Sequence, residues 1–317
     1  MRDTLAAVRP AQTRLPLRHL RGPADLDLPL TDRLLAAAAE FEANPVGARL
    51  EGRLLATIFY EPSTRTRFSF ESAMLRLGGQ VLTAENAGKA SSVSKGESLE
   101  DTIRIISGYA DAIVIRHPEP GSADRAAAAA DVPVINAGDG TGHHPTQALL
   151  DLYTIKKELG RIENLRVGLV GDLRHGRTVR SLALLLTLYP GIQLTLVSPS
   201  PLAMGDDILS ELDRRGARYR QVEALDEVVR ELDVLYQTRI QQERFERPAD
   251  YERFRGVYMV DHALMRRLPE HAILMHPLPR VGEIDPAVDA DPRAAYFRQA
   301  RNGLPVRMAT LHWAMAG

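Results

Sequence analysis

Short apolar segments alternate with segments of helical periodicity along most of this chain. β-branched and aliphatic runs predict strands near residues 54–59, 112–115, 132–135, 167–170, 193–197, 234–236 and 273–275. Apolar positions spaced three and four apart predict helices near 32–41, 66–77, 99–109, 146–159, 177–188 and 206–215. Regular alternation of strand and helix favours an α/β fold, in which helices cover both faces of parallel sheets.

The chain is predicted to divide near residue 145. The glycine-rich stretch 136–142 ends a strand, and a long helix is expected to start at His144-Pro-Thr-Gln147. At about 150 residues per domain, a chain of 317 residues holds two domains, which we place at 1–145 and 146–300. Ligands of open parallel sheets bind outside the carboxyl ends of the strands. We therefore expect two doubly wound parallel-sheet domains with the active site in the cleft between them.

The charge balance favours a small-molecule partner. The 40 basic and 41 acidic residues nearly cancel, so the chain lacks the net positive field that draws proteins to nucleic acid or anionic lipid. No apolar run approaches the roughly 20 residues that span a bilayer, and no targeting segment is evident at the start. Cysteine is absent, which excludes disulfides and thiolate catalysis and makes a cytoplasmic setting the expectation.

An anion site is the first candidate for chemistry. The chain leaves a strand at Phe59, passes Pro62 and opens a helix with Ser63-Thr64-Arg65-Thr66-Arg67. Free backbone N–H groups and the helix dipole favour an anion at such a start, and the hydroxyl and guanidinium groups match phosphate oxygens. Taken alone, these residues fit an ordinary helix cap with solvated arginines equally well.

Two basic segments precede the proposed domain boundary. The polar loop 91–98 contains Lys95, one of only four lysines in the chain, and a lysine on a moving loop suits a lid over an anion. Loops of this composition are more often simply solvated. Arg116 ends an apolar strand, where a solvated arginine is the commoner finding.

His144 could donate to a developing oxyanion. A metal site at this histidine is disfavoured because no acidic residue stands at ligand spacing.

Three further segments follow strands in the second half. The turn from Gly171 lacks the Gly-x-Gly-x-x-Gly pattern of dinucleotide sites, so Arg177 at the following helix start is better interpreted as a carboxylate anchor. Thr238-Arg239-Ile-Gln241 follows another strand. The prolines of His276-Pro-Leu-Pro279 prevent regular strand pairing, which leaves backbone carbonyls free to accept hydrogen bonds from a ligand.

The type, order and spacing of these motifs resemble the transcarbamoylase family, specifically its aspartate branch, from about Leu34 to Gly303. The resemblance implies that the phosphate of carbamoyl phosphate is bound by Ser63, Thr64, Arg65 and Thr66. It implies that Arg116 and His144, with Thr66, polarise the carbonyl group, and that Gln147 and the backbone carbonyls of Leu278 and Pro279 hold the amino group. Residues 1–145 would then bind carbamoyl phosphate, residues 146–300 would bind aspartate, and a helix near 301–317 would pack back on the first domain.

A shared site also follows from the resemblance. Ser91 and Lys95 correspond to the family's loop that enters a neighbouring chain's site and contacts carbamoyl phosphate, which implies a homotrimer. Arg177 would anchor the α-carboxylate of aspartate, and Arg239 with Gln241, assisted by Lys95, would hold the β-carboxylate. Ser91-Ser-Val-Ser departs from familiar versions of this loop and leaves the choice of serine open. Because the family includes both free enzymes and complexes, regulatory or dihydroorotase chains are left open as partners.

The implied reaction is attack of the neutral α-amino group of aspartate on carbamoyl phosphate, which gives N-carbamoyl-aspartate and phosphate in pyrimidine synthesis. It requires no cofactor and no metal, and either the departing phosphate or His144 would take the proton. Ornithine carbamoyltransferases typically have His-Cys-Leu-Pro where this chain has Pro277, and Ser-Met-Gly on the amino-acid side, so aspartate is favoured. A non-catalytic homologue and a nucleotide-dependent oxidoreductase are the alternatives from other classes.

Overall fold

The structure is a computed structural model that describes residues 17–89, 96–240, 247 and 251–316. The strands are β1 (Leu54–Phe59), β2 (Gln80–Glu85), β3 (Ala112–His117), β4 (Val134–Asp139), β5 (Arg166–Val170), β6 (Gln193–Val197), β7 (Arg218–Val222), β8 (Val234–Gln237) and β9 (Ile273–Met275). The α-helices are α1 (Leu28–Ala43), α2 (Thr64–Arg76), α3 (Leu99–Ser107), α4 (Ser122–Ala129), α5 (Pro145–Leu159), α6 (Arg177–Leu186), α7 (Asp206–Arg214), α8 (His262–Met265) and α9 (Tyr296–Met315).

Two parallel sheets organise these elements. The first has the strand order β2-β1-β3-β4 and the second has the order β7-β6-β5-β8-β9, and every pair of neighbouring strands is parallel. The strand order reverses between β1 and β3 in the first sheet and between β5 and β8 in the second. Such switch points leave a crevice at the carboxyl ends of the two strands. The predicted α/β class with two parallel-sheet units is confirmed.

Alternate residues of the central strands are buried on opposite faces of each sheet. In β1, Leu55 and Phe59 join one apolar cluster, whereas Ala56 and Ile58 join another. In β8, Val234 and Leu235 are likewise divided between two clusters. Side chains of a strand point alternately to its two faces, so both faces of each sheet are covered. One of these clusters includes residues of both sheets and of α5, α6 and α9.

The predicted strands and helices are present in the structure, with differences at some of their ends. Strands β2 and β7 were not predicted, and both lie at an edge of their sheet. Strand β4 extends through residue 139, so it includes part of the glycine-rich stretch that was expected to follow it. Helix α9 begins at Tyr296, earlier than the predicted start near 301, and packs against α1, α2 and α5. No helix among the described residues is long and apolar enough to cross a membrane.

Candidate active site

A cavity of about 1020 Å³ lies at the carboxyl ends of the strands of both sheets. It is lined by Arg116 near the end of β3, by residues that follow β1, β4, β5, β8 and β9, and by residues of α2, α5, α6 and α9. The predicted site residues that line it are Ser63, Thr64, Arg65, Thr66, Arg116, His144, Gln147, Arg177, Arg239, Leu278 and Pro279. The remaining predicted residues, Ser91, Lys95 and Gln241, lie outside the described residues. The two switch points thus open into one cavity.

The start of α2 presents donors to this cavity. Ser63 is the N-cap residue, and its hydroxyl makes no capping hydrogen bond to the helix. Together with Thr64, Arg65 and Thr66 it lines the cavity. Thr66 is buried in the cavity wall. Burial lowers the pKa of Arg65. Arg67, in contrast, is directed to the carboxylate of Glu85 at 2.7 Å and takes no part in the lining.

Glu61 lies between two arginines of the site. Its Oε2 atom is 3.5 Å from Nη2 of Arg116 and 3.6 Å from Nη1 of Arg177. Arg116 donates to the carbonyl of Ala137, and Arg177 donates to the carbonyl of Gly140. Burial, together with the charge of Arg177, lowers the pKa of Arg116 to about 9. The region holds excess positive charge and would be stabilised by a bound anion.

His144 is a buried neutral imidazole at the start of α5. Its backbone N–H donates to the hydroxyl of Ser181 at 3.0 Å, and its Nδ1 atom has no hydrogen-bond partner among the described residues. Burial, and then the charges of Arg177 and Arg116, hold the pKa of His144 well below its usual value. At neutral pH the ring therefore offers one N–H donor and one acceptor rather than a positive charge.

The segment after β9 is held by hydrogen bonds from both sides. The backbone N–H of His276 donates to Oε1 of Gln299 at 2.8 Å, and that of Leu278 donates to Nδ1 of His276 at 2.8 Å. The Nε2 atom of His276 lies 2.7 Å from Oε1 of Glu283. Because Nδ1 accepts, Nε2 carries the proton and donates to this carboxylate. The peptide bond between Leu278 and Pro279 is cis, and both residues line the cavity.

The cavity residues that were not singled out from the sequence include three charged or titratable ones, Glu61, His175 and Arg307. Glu61 directly precedes Pro62, where its charge gave no signal by itself. His175 lies beside the buried carboxylate of Asp172, with Nδ1 3.2 Å from Oδ1. Arg307, on α9, is almost completely buried and donates to the hydroxyl of Ser69 at 2.7 Å; burial lowers its pKa to about 10. An arginine within the apolar part of a helix was the signal that could have identified Arg307.

The lining has the character of a site for anionic ligands. Five arginines and one glutamate are among the described residues that line the cavity. The arginines stand on both sides of it. Arg65 follows β1 and Arg116 lies near the end of β3 in the first sheet, whereas Arg177 and Arg239 follow β5 and β8 in the second. In the part of the chain that is described, no group of three or more His, Asp or Glu residues is arranged to hold a metal ion.

Two family models cover most of the chain. The carbamoyl-P binding domain of aspartate/ornithine carbamoyltransferase matches residues 18–157, and the Asp/Orn binding domain matches residues 163–314.

Named relatives agree with this assignment. A chloroplastic aspartate carbamoyltransferase of Oryza sativa subsp. japonica is 59% identical over 269 residues, which cover 84% of this chain and 74% of that protein. The catalytic subunit of M. jannaschii aspartate transcarbamoylase superposes with a TM-score of 0.87 at 48% identity, over 95% of this chain and 98% of that one. The Trypanosoma cruzi enzyme in complex with carbamoyl phosphate and aspartate gives 0.88 at 40% identity, over 94% and 97%. The chain therefore belongs to the aspartate/ornithine carbamoyltransferase family.

Proposed function

We propose that this protein is an aspartate carbamoyltransferase, which transfers the carbamoyl group of carbamoyl phosphate to the α-amino group of L-aspartate. The observation that carries the proposal is that two sets of arginines line a single cavity, one set at the carboxyl ends of the strands of each sheet. Two sets suit two anionic substrates that must meet. The products are N-carbamoyl-L-aspartate and phosphate, and the reaction serves pyrimidine biosynthesis.

Carbamoyl phosphate binds against the first sheet, within residues 1–145. Its phosphate accepts hydrogen bonds from the start of α2, through Ser63, Thr64, Arg65 and Thr66. Its carbonyl oxygen accepts from Thr66, Arg116 and His144. Preorganised donors of this kind are typically worth about 3 to 4 kcal/mol each when negative charge develops on the oxygen. The amino group donates to Oε1 of Gln147 and to the carbonyls of Leu278 and Pro279.

Aspartate binds against the second sheet, within residues 146–300. Arg177 anchors its α-carboxylate, and Arg239 anchors its β-carboxylate with the help of Gln241 and Lys95. Arg177 is already held by Glu61 and by the carbonyl of Gly140, so its position is fixed before the substrate arrives. A fixed carboxylate leaves the α-amino group directed at the carbonyl carbon, and such orientation supplies much of the rate enhancement.

The reaction needs only binding, orientation and one proton transfer. The amine nitrogen forms a bond to the carbonyl carbon, a tetrahedral intermediate develops, and the bond from that carbon to the phosphate oxygen breaks. The lost amine proton passes to the departing phosphate. His144 is the weaker candidate as acceptor, because burial among arginines lowers its pKa and so its basicity. Its role is to donate a hydrogen bond to the carbonyl oxygen.

Turnover with two amino acids tests the proposal. Carbamoyl-aspartate should form from carbamoyl phosphate and aspartate, whereas ornithine should give no comparable product. Its cationic side chain would face Arg239, where the β-carboxylate of aspartate is expected. Equal rates with ornithine would assign the chain to the other branch, and no turnover with either by a folded protein would make it a non-catalytic homologue. N-(phosphonacetyl)-L-aspartic acid, present in another Trypanosoma cruzi complex, should bind more tightly than either substrate because it fills both anion sites.

We further propose a homotrimer in which Ser91 and Lys95 of one chain complete the site of the next. An apolar surface beside the cavity supports a neighbouring chain at this place. Phe68 and Leu75 on α2 are 53% and 61% exposed, and Val46 is 76% exposed, although large apolar side chains usually avoid water. Phe68 lines the active-site cavity as well as this surface. A neighbour seated on this surface would reach the cavity.

Mixed trimers test the shared site. Lys95→Ala and Arg65→Ala proteins should each be inactive, and dissociation followed by joint reassembly should restore part of the activity. Recovery is expected because some interfaces pair an intact Lys95 with an intact Arg65. Hybrid trimers without activity would contradict sharing and leave the proposed reaction standing. Binding of regulatory or dihydroorotase chains stays a prediction, which the mass of the native assembly would test. A cytoplasmic location also stays a prediction, since named plant relatives are chloroplastic.

A further inference from the structure

A buried carboxylate lies directly behind the wall of the active-site cavity. Asp151, on α5 one turn after Gln147, has no exposed surface. Its Oδ1 atom accepts hydrogen bonds from Nε2 of Gln147 at 2.9 Å and from Nε2 of Gln299 at 2.7 Å. Its Oδ2 atom accepts from the hydroxyl of Tyr236 at 2.8 Å. Both glutamines line the cavity, so Asp151 joins two parts of the lining from behind.

The carboxylate fixes which end of Gln147 faces the cavity. Burial raises the pKa of Asp151 to about 7, but its Oδ1 atom, which both glutamines contact, accepts hydrogen bonds even when Oδ2 carries a proton. A glutamine amide, in contrast, has a donor end and an acceptor end. Since the Nε2 donor of Gln147 is directed at Asp151, the Oε1 acceptor is the end left for a ligand. Reversing this amide would place two acceptors against each other in a buried position, which is costly. Gln147 is therefore an acceptor in the cavity.

The same carboxylate fixes Gln299 and, through it, the segment after β9. Gln299 donates Nε2 to Asp151 and accepts the backbone N–H of His276 at Oε1. His276 in turn accepts the backbone N–H of Leu278. A reversed Gln299 amide would break both of its contacts at once. The placement of the Leu278 and Pro279 carbonyls thus depends on the orientation that Asp151 imposes.

We propose that Asp151 is a positioning residue that orients all three acceptors for the amino group of the carbamoyl donor, and so makes the site select an amino group over a methyl group of the same size. The inference rests on the proposed function. An amino group in this place supplies two N–H donors that the three acceptors share, whereas a methyl group supplies none and leaves the acceptors unpaired away from water. Sites built around substrate hydrogen bonds reject analogues that lack them by large factors. Without Asp151, the Gln147 amide can turn either end to the ligand and the discrimination declines.

Two phosphonates that differ in one group measure this selection. Phosphonoacetamide carries the amino group and acetonylphosphonate carries a methyl group in its place, and neither can transfer a carbamoyl group. The Kd of acetonylphosphonate divided by the Kd of phosphonoacetamide, both from isothermal titration, should be at least about 100 in the wild-type protein. In Asp151→Leu the ratio should fall to about 10 or less, because the glutamine amide loses its fixed acceptor. A general loosening of the site would weaken both ligands together and leave the ratio unchanged.

Two matched variants separate orientation from charge and from simple loss of a hydrogen bond. Asp151→Asn can keep Oδ1 for both glutamines and donate from Nδ2 to the oxygen of Tyr236, so it should retain the wild-type ratio. Tyr236→Phe removes the hydroxyl that donates to Oδ2 and leaves Oδ1 to both glutamines, so it too should retain the ratio. If either variant lowers the ratio as far as Asp151→Leu does, the proposal is wrong.

Failure of this inference can be told apart from failure of the proposed function. A wild-type protein that forms carbamoyl-aspartate but binds both phosphonates equally would overturn the role of Asp151 alone. The same conclusion holds if Asp151→Leu keeps the wild-type ratio. If Asp151→Leu does not fold, Asp151→Ala replaces it, because water can enter the vacated space and satisfy the donors. Water accepts or donates equally well, so the ratio should still fall at least about tenfold, and an unchanged ratio would refute the proposal.

Discussion

Replacing Arg116 by methionine should stabilise the protein in the absence of ligand while it destroys anion binding. Arg116 is largely withdrawn from water, with 14% of its side chain exposed, and its pKa is lowered to about 9. Relative to an ordinary arginine value of about 12.5, this corresponds to about 5 kcal/mol at about 1.4 kcal/mol per pH unit. At neutral pH the folded protein is charged at this position and therefore carries the whole cost.

The expected gain is smaller than this figure. Methionine loses the bond to the Ala137 carbonyl, which offsets about 1 to 3 kcal/mol, whereas the attraction to Glu61 is already included in the lowered pKa. A net stabilisation of about 2 to 4 kcal/mol remains, and at about 2 °C per kcal/mol the Tm should rise by several degrees.

Thermal unfolding with and without ligand measures both effects. Inorganic phosphate or carbamoyl phosphate should raise the Tm of the wild type, by an amount that corresponds to about 2.7 kcal/mol at a ligand concentration of 100 times Kd, and should not raise that of Arg116→Met. Arg67→Met is the matched control, because Arg67 belongs to the same region but pairs with Glu85 outside the cavity. It should keep the ligand response and lose at most about 1 kcal/mol. A lower Tm for unliganded Arg116→Met than for wild type would refute the electrostatic argument.

Three other substitutions have specific expected outcomes. Arg239→Ala should raise the KM for aspartate at least about tenfold with little effect on carbamoyl phosphate, since it removes a charge-assisted contact worth about 1.5 to 3 kcal/mol; unchanged aspartate kinetics would remove Arg239 from the site. Arg65→Ala should lower kcat/KM by at least about 100-fold with an unchanged Tm, and near-normal turnover would reduce the start of α2 to a helix cap. His144→Gln should reduce acid sensitivity. Because the pKa of His144 is depressed in the folded protein, the unfolded chain protonates first, and the wild type loses stability as pH falls below about 6.5. Denaturant titration at each pH measures the free energy of unfolding of both proteins, and equal losses in the two would contradict a buried neutral ring.

The buried strands could be predicted from the sequence, including β4 and β9 at sheet edges, whereas the exposed edge strands β2 and β7 could not. In β2 all residues but Val81 are exposed, and β7 has no fully buried residue. An edge strand takes its backbone pairing from one neighbour and needs few apolar side chains, so neither hydrophobic run nor clear alternation marks it. The central strands are buried on both faces and read as continuous apolar runs for that reason.

The site was accessible to sequence reasoning where a residue forms part of a strand–turn–helix motif. Ser63, His144 and Arg177 lie at helix starts that come after a strand, Arg116 lies near the end of a strand, and the structure places all four on one cavity. Asp151 follows no strand and lies in the apolar run of α5, so it reads as an isolated polar residue. Its spacing of four from Gln147 was the available signal, since residues four apart on a helix are neighbours.

The two switch points have a consequence for how proteins of this kind diversify. In the proposed binding mode, the segment after β1 and the end of β3 contact the carbamoyl donor, whereas the segments after β5 and β8, which belong to the other sheet, contact the acceptor. Substitutions that alter the acceptor therefore leave the backbone around the donor in place. Under this proposal, a lineage can change the amino acid that it carbamoylates through a few replacements in the loops after β5 and β8, while it continues to bind carbamoyl phosphate.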